Sequence, residues 1–336
     1  MEKITVFFIF LILASPLVSI GGTTALLQDG HTFYVGGSGP GNYSHIQEAL
    51  DNTSDGDTVI VYTGTYAETL IIDTSIHLLG EDRNTTIIDG QKKGDVVRVI
   101  ADEVTISGFT IMNGGRPFYS FKEGGGIRLD SSSYSVITDN IVRNNDFFGI
   151  LSVETTSAHN TISYNMVSMN GRADYKKRSY FNIGCIHSPD NTISHNIIEN
   201  ALGLGMSCCY WSVNTTIYGN IFRNNTMGGI RSRHSFNNHI YNNLFENNSL
   251  FGLRILNESD GNIIEENTFL NNKPLDAFFD ISTPFSRNQW KGNYWSHARV
   301  LPKVVFGHIR PAMKSALGIP WVAFDWRPAH DPIPIE

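Results

Sequence analysis

Short alternating triplets dominate the chain. Thr161-Ile162-Ser163, Thr192-Ile193-Ser194 and Thr216-Ile217-Tyr218 each set one apolar residue between two polar ones, and Asn, Gly or Ser follows within a few residues. A period of two bounded by turn formers predicts strands of three to five residues joined by tight turns. The triplets travel with seven asparagines, Asn140, Asn165, Asn196, Asn220, Asn243, Asn267 and Asn293, spaced 25, 31, 24, 23, 24 and 26 residues apart. Around each lies a degenerate unit, N-x-I-x-x-N-x-F-x-N-N-x-x-x-G-I, clearest from Asn238 to Leu253 and altered slightly from Thr215 to Ile230. A period in the twenties means a stacked solenoid.

A leucine-rich repeat would repeat Leu at fixed places, and helical repeats need a longer unit with a 3.6-residue apolar pattern. Neither is present. Three short strands and their turns fill one rung, so rungs stack into parallel sheets about 4.8 Å apart. The expected fold is an all-β, right-handed parallel β-helix, since parallel crossovers are almost always right-handed. Asn suits the turns because it tolerates left-handed backbone and both donates and accepts hydrogen bonds. Stacked on its equivalents it should form an internal ladder. Asn144, Asn200, Asn224, Asn247 and Asn271, four residues on, should repeat the device, with Met169 the departure. Asn224 and Asn247 also lie in glycosylation sequons, where a turn-packed amide would be a poor acceptor. Asn42, Asn52, Asn84, Asn214 and Asn257 are the better acceptors.

Composition and layout refine this picture. Residues 1–25 have the order of a secretory signal: Met1-Glu2-Lys3, an apolar run from Ile4 to Ile20, then small residues to Ala25. A retained membrane anchor is the alternative, and it is the one membrane contact the sequence suggests. Residues 26–90 read as an N-terminal cap and first rungs, including a short helix within Tyr43 to Asn52. Residues 91–296 carry the repeats and 297–336 form an aromatic capping tail; Trp321 and Trp326 in the tail, with Trp295 just before it, are candidates for stacking on sugar. The 32-residue step from Gly108, read as occupying the Asn position, to Asn140 places a loop at Arg116 to Glu123. The 31-residue step to Asn196 places a basic and aromatic one at Gly171 to Phe181. A net charge of -7, read as unsegregated, gives no basic face for nucleic acid. Three cysteines allow at most one disulfide.

The strings Tyr43-Ser44-His45-Ile46-Gln47-Glu48-Ala49-Leu50, Gly56-Asp57-Thr58-Val59-Ile60-Val61, Gly64-Thr65-Tyr66 with Glu68, and Leu79-Gly80-Glu81-Asp82-Arg83 through Ile88-Asp89-Gly90 carry a more specific signal. This opening resembles that of pectin-lyase-like β-helix proteins, more narrowly that of NosD-type proteins. Trp290 to Trp295 is similar to the terminal G-N-Y-W string of NosD-like chains, many of them archaeal. The resemblance spans roughly residues 31 to 295. It implies the carbohydrate-binding and sugar-hydrolase class of β-helices, secretion to a cell surface or periplasm-like space, and an association with copper delivery to nitrous oxide reductase.

Aligning the rungs by their Gly-Ile segments makes Ile127–Asp130, Ile150–Val153, Cys185–Ser188, Met206–Cys209, Ile230–Arg233 and Leu253–Leu256 equivalent, with first and third residues inward. Arg128, Asp130, Ser207, Arg231, Arg233 and Arg254 then form an outward basic stripe, with Tyr210, Trp211 and His234 beside it. Guanidinium forks bind carboxylate or sulfate and aromatics stack on sugars, although exposed arginines are also ordinary surface chemistry. Glycoside hydrolysis needs two carboxylates roughly 5 to 9.5 Å apart, and a calcium-assisted lyase needs an acidic cluster. Neither shows on the stripe. The soft ligands Cys185, His187, Met206, Cys208 and Cys209 on adjacent rungs suit Cu(I), although the first four should point inward, where small apolar residues are the default occupants. The reading is non-catalytic binding of a glycan or surface polymer, with no cofactor required. A polysaccharide lyase or hydrolase and a copper accessory protein are the rivals.

Overall fold

The computed structural model describes residues 30–115, 124–171, 180–282, 286–296, 301–309 and 318–335. The expected signal at 1–25 and the loop at Arg116 to Glu123 lie outside the described residues, as does most of the Gly171 to Phe181 segment. The chain winds as a right-handed parallel β-solenoid of about 11 turns, with three sheets along a triangular section. The first sheet holds the triplets, from Thr58–Val61 through Thr161–Ser163 to Gln289–Lys291. The second runs from Gly64–Tyr66 through Ile221–Arg223 to Tyr294–Trp295. The third carries the longest strands, among them Phe148–Val153, Phe181–Ile186, Leu204–Cys209, Gly228–Arg233 and Ser249–Leu256.

Inward positions stack in columns because the parallel register repeats them rung after rung. Ile137, Ile162, Ile193 and Ile217 form one fully buried column. Phe222, Phe245, Phe269 and Trp295 form another, with ring centroids 5.1, 4.8 and 4.6 Å apart and planes within 8°. Each such aliphatic side chain removed from water contributes about 2 kcal/mol. Trp295 is therefore a core residue, and the sugar platform expected from Trp295, Trp321 and Trp326 does not assemble.

The Asn ladder is present. Asn140 donates from its backbone N–H (3.0 Å) and its Nδ2 (3.2 Å) to Oδ1 of Asn165, and the pattern repeats through Asn196, Asn220, Asn243 and Asn267 to Asn293. Its local geometry corrects the expectation. The left-handed residue is the one before each ladder Asn: Asp139, Tyr164, His195, Gly219, Asn242, Glu266 and Gly292 all have φ between 50° and 66°. Gly108 (φ 86°) belongs to that class, and Phe109 takes the Asn position, its N–H donating to Asn140 Oδ1.

The second ladder sits five residues on rather than four. Asn145, Asn170, Asn225, Asn248 and Asn272 are buried and bonded rung to rung, with Asn182 Oδ1 accepting from Asn170 and Ala201 interrupting the series. Asn144, Asn200, Asn224, Asn247 and Asn271 instead occupy the left-handed corners. Asn224 and Asn247 are exposed there, so their sequons are not buried. A third ladder precedes the triplets: Asn160 bonds Asn191, and Asn238, Asn262 and Asn288 continue it, beside buried Ser157, Ser188, Ser212, Ser235 and Ser259.

Both ends are closed. The helix Ile46–Leu50 packs Ile46, Ala49 and Leu50 over the first rungs, and Glu68 accepts from the N–H groups of Ile46 and Gln47, both at 3.0 Å. At the other end Lys303–Ile309 and Ile319–Asp325 form an antiparallel hairpin joined to the last rungs. The fully buried Asp325 takes the place of the next ladder Asn. Its Oδ2 accepts from Asn293 N–H (2.9 Å), Asn293 Nδ2 (3.1 Å) and Trp295 Nε1 (3.1 Å), and Oδ1 from Gly292 N–H (3.0 Å).

Candidate functional site

The third sheet turns its outer side into two distinct polar clusters. One outward row runs Arg98, Arg128, Leu151, Gly184, Ser207, Arg231, Arg254 and Phe278 across consecutive strands. The expected continuous stripe is interrupted at Leu151 and Gly184. There Phe148, Leu151, Val153, Phe181, Leu204 and Phe251 make a second apolar cluster outside the main core. The Phe181 ring lies 2.4 Å from where a Cβ on residue 184 would stand, which is why that position is Gly.

Before the interruption, Asp130 Oδ2 accepts from Arg98 Nε (3.1 Å) and Nη2 (2.5 Å) and from Arg128 Nε (3.2 Å). Arg128 and Asp130 thus hold each other. Arg98, which the alignment omitted, completes the group. Its strand Val97-Arg98-Val99 has the same alternation and was the available signal.

Beyond the interruption lies the richer cluster. Arg231 and Arg254 are register partners on adjacent rungs, with Arg233 two residues along. The Arg254 guanidinium lies over the rings of Phe251 (5.8 Å) and Phe278 (5.3 Å), and Arg231 Nη2 reaches Ser207 Oγ at 3.3 Å. Arg233 sits 5.4 Å above the Tyr210 ring and donates from Nη1 to its hydroxyl at 3.3 Å. At the sheet edge the position after each strand is left-handed, and it carries His187 (φ 55°), Tyr210 (φ 53°) and His234 (φ 49°) on successive rungs. Their rings stack at 5.6 and 5.9 Å. Trp211 is also left-handed (φ 69°), is 59% exposed and stacks on Phe236 at 5.4 Å. Adjacent left-handed residues also occur at Gln91-Lys92 and Asn257-Glu258, so the corner sets this conformation, and here it carries two aromatic rings.

The soft ligands do not converge. Ile183, not Cys185, pairs with Ile150 and Met206, so the strand begins two residues earlier than the alignment placed it. It ends at Ile186, and His187 turns outward to the Tyr210 column instead of pointing inward. Cys185, Met206 and Cys208 lie in the dry core, while Cys209 faces the outer side with its Sγ 3.1 Å from Ser207 Oγ. All three cysteines are free. Burial, reinforced by the neighbouring Cys209, pushes the Cys185 thiol up to about 12, and burial raises Cys208 well above its ordinary value. Thiols held protonated are poor metal ligands. Among the described residues no three of His, Cys, Asp and Glu stand close enough to hold a metal ion. Cys185, His187, Met206, Cys208 and Cys209 therefore do not make a copper site in this arrangement.

A family model described as periplasmic copper-binding protein (NosD) matches residues 50–248. No curated protein matches the chain. Among solved structures, the complex of XylC with xylose is similar at TM-score 0.63 and 11% identity, covering 88% of this chain and 73% of that one. A surface adhesin of Streptococcus pneumoniae, PfbA, is similar at TM-score 0.59 and 15% identity over 75% of each chain. A mannuronan C-5 epimerase A-module of Azotobacter vinelandii is similar at TM-score 0.56 and 15% identity, over 79% of this chain and 82% of its own. At these identities the likeness is one of fold.

Proposed function

This chain belongs to the NosD family, and from that premise we propose that it is an exported binding protein that takes a glycan or surface polymer along the outer side of its third sheet. The observation that carries the reading is the edge column His187, Tyr210 and His234 with exposed Trp211, set beside the guanidinium of Arg233. Flat aromatic surfaces stack on sugar rings, and guanidinium forks take carboxylate or sulfate in two parallel hydrogen bonds. Because the rungs repeat, these groups are offered at a regular pitch, which suits a polymer better than a small molecule. The family's periplasmic description supports export. Solved β-helices of the same architecture include a xylose complex, a mannuronan C-5 epimerase module and a surface adhesin, which supports a sugar or surface-binding reading without deciding between binding and turnover.

A glycan array and a turnover screen on the same sample test this. Binding of acidic or neutral polymers without new chain ends is expected. Tyr210→Ala with Trp211→Ala should lower affinity at least tenfold, and Arg231→Ala with Arg254→Ala should remove any preference for acidic polymers. Unchanged affinity in both double variants would exclude the outer face. Cleavage or epimerisation of any polymer would make the chain an enzyme. Stoichiometric Cu(I) uptake, lost in Cys208→Ser with Cys209→Ser, would replace the glycan reading with the metal role described for the family.

A further inference from the structure

Seven asparagines stand in the N-x-S/T pattern that accepts an N-linked glycan: Asn42, Asn52, Asn84, Asn214, Asn224, Asn247 and Asn257. The pattern needs two open groups, an amide whose Nδ2 takes the sugar and a hydroxyl two residues on. In five of the seven, one of these is already engaged. Asn42 Nδ2 donates to Gly36 O (2.6 Å), Asn52 Nδ2 to Glu48 O (2.8 Å), Asn84 Nδ2 to Asp82 Oδ1 (2.9 Å) and Asn214 Nδ2 to Asp190 Oδ1 (3.0 Å). At Asn257 the hydroxyl is held instead: Ser259 is buried, and its Oγ donates to Leu256 O at 2.7 Å.

Asn224 and Asn247 differ on both counts. Each turns a left-handed corner (φ 55° and 53°) and is exposed, and each is followed two residues on by an exposed hydroxyl, Thr226 or Ser249. Among the described residues, neither side-chain amide and neither hydroxyl has a hydrogen-bond partner. The ladder explains this openness. The residue between amide and hydroxyl is Asn225 or Asn248, buried and tied to the next rung, Asn225 Nδ2 to Asn248 Oδ1 and Asn248 Nδ2 to Asn272 Oδ1, both at 2.9 Å. With the middle residue fixed inward, its two neighbours face solvent together. The corners lie on successive rungs, Asn224 N–H donating to Glu246 O at 3.1 Å, and they border the start of the third-sheet strands. The His187, Tyr210 and His234 column borders the ends of such strands.

We propose that Asn224 and Asn247 are the N-glycosylation sites of the folded chain, in preference to the other five sequons. The proposal rests on the export reading, since transfer from lipid carriers takes place outside the cytoplasm. In the step Nδ2 bonds to C1 of the sugar and loses one proton, while the bond from C1 to the phosphate oxygen of a lipid-linked oligosaccharide breaks and the lipid phosphate leaves with the electron pair. Successive rungs set the two acceptors about 4.8 Å apart, so a glycan on one crowds the other, and chains bearing one should outnumber chains bearing two. The test uses the folded full chain, a single-subunit oligosaccharyltransferase that requires only N-x-S/T, its lipid-linked oligosaccharide, and a short acceptor peptide in the same tube. Glycopeptide mass spectrometry should find the summed occupancy of Asn224 and Asn247 at least tenfold above that of any other sequon. Synthetic peptides spanning the seven sequons should lose that preference, because the fold and not the local sequence sets it. Thr226→Ala should abolish modification at Asn224 and raise it at Asn247, and Ser249→Ala should do the reverse. A folded chain left unmodified at both corners beside a modified acceptor peptide, or modified equally at the other five, would overturn the proposal. Export is decided separately, by fractionating the cells that make the chain: retention inside would remove the export reading without altering the occupancies measured in the tube.

Discussion

The first rungs and the later rungs solve one problem with different chemistry. Every corner of a solenoid leaves backbone N–H groups that the sheets cannot satisfy. Near the N-terminus, carboxylates accept them one corner at a time: Asp57 from His31 and Ser54, Glu68 from Ile46 and Gln47, Glu81 from Thr63. From Asn140 onward, amides take over. A carboxylate only accepts, whereas an amide accepts from one rung and donates to the next. Amides can therefore continue a ladder and carboxylates can only end one. Asp325 stands where the ladder stops, as that rule requires.

The sharpest way to break this comparison is to exchange the two chemistries. Asn220 Nδ2 donates to Ile193 O, Tyr218 O and Asn243 Oδ1. Asn220→Asp would set an acceptor against three acceptors in a dry interior, and a loss of about 4 kcal/mol or more is expected in urea unfolding. A loss under about 1 kcal/mol would end the amide argument. Next in size is Asp325→Ala, which strands the N–H groups of Gly292 and Asn293 and the Trp295 indole. It should cost about 3 kcal/mol and raise hydrogen exchange at Gly292 and Asn293 before other rungs. Asp325→Asn keeps one acceptor for Asn293 and Trp295 but sets its NH2 against the Gly292 N–H, so it should cost about 2 kcal/mol, milder than the same exchange of residue types in the middle of the ladder. Asp57→Asn is similar, because Asp57 too uses both oxygens, on His31 and Ser54, and an amide offers one, but one partner, His31, is more exposed. About 1–2 kcal/mol is expected from thermal unfolding.

The smallest expected effect concerns acid. Hydrogen bonds from the backbone and side-chain N–H groups of Asn84 lower the Asp82 carboxyl below 3.8. The hydrogen bond from His239 lowers Glu265 below 4.5 against the effect of burial, helped by Lys291. A carboxyl lowered in the folded state adds stability that is present above its unfolded value and is lost as pH falls through the folded one. Urea midpoints should thus fall from about pH 5 to about pH 3, and less steeply in Glu265→Gln, while the amide ladder contributes no slope of its own. An unaltered slope in Glu265→Gln would remove this carboxyl from the account.

Sequence periodicity was enough to establish the solenoid and the ladder of Asn140 to Asn293, because one residue type returned once per rung. It misplaced the second ladder because Asn144-Asn145, Asn224-Asn225, Asn247-Asn248 and Asn271-Asn272 are pairs. One member turns the corner and the other stacks, and composition does not distinguish them. The third ladder is present in Asn160-Thr161-Ile162 and Asn191-Thr192-Ile193 at the same period, but each Asn adjoins a strand triplet with that period and is not distinguished from it by spacing. At the candidate site, alternation correctly put Arg231 and Arg254 outward. It failed at His187 because the extra residues before Asn196 shifted the strand by two, which preserves which side Cys185 faces but moves the strand's end. The stacking of His187, Tyr210 and His234 depends on a corner conformation shared by non-consecutive residues, and no local pattern announces it.

The ladders also have a direction. In each side-chain-to-side-chain contact of the Asn140 series the earlier Asn donates and the later one accepts, while the same Nδ2 groups also donate back to carbonyls of the earlier rung. Aligned hydrogen bonds polarise one another. The Asn–Asn chain thus has a sense, its last N–H groups without a further Asn facing the C-terminal end, opposite in chain sense to an α-helix, whose free N–H groups face its N-terminus. The buried anion Asp325 at that end accepts from them, and a rung added or removed there would need a new acceptor.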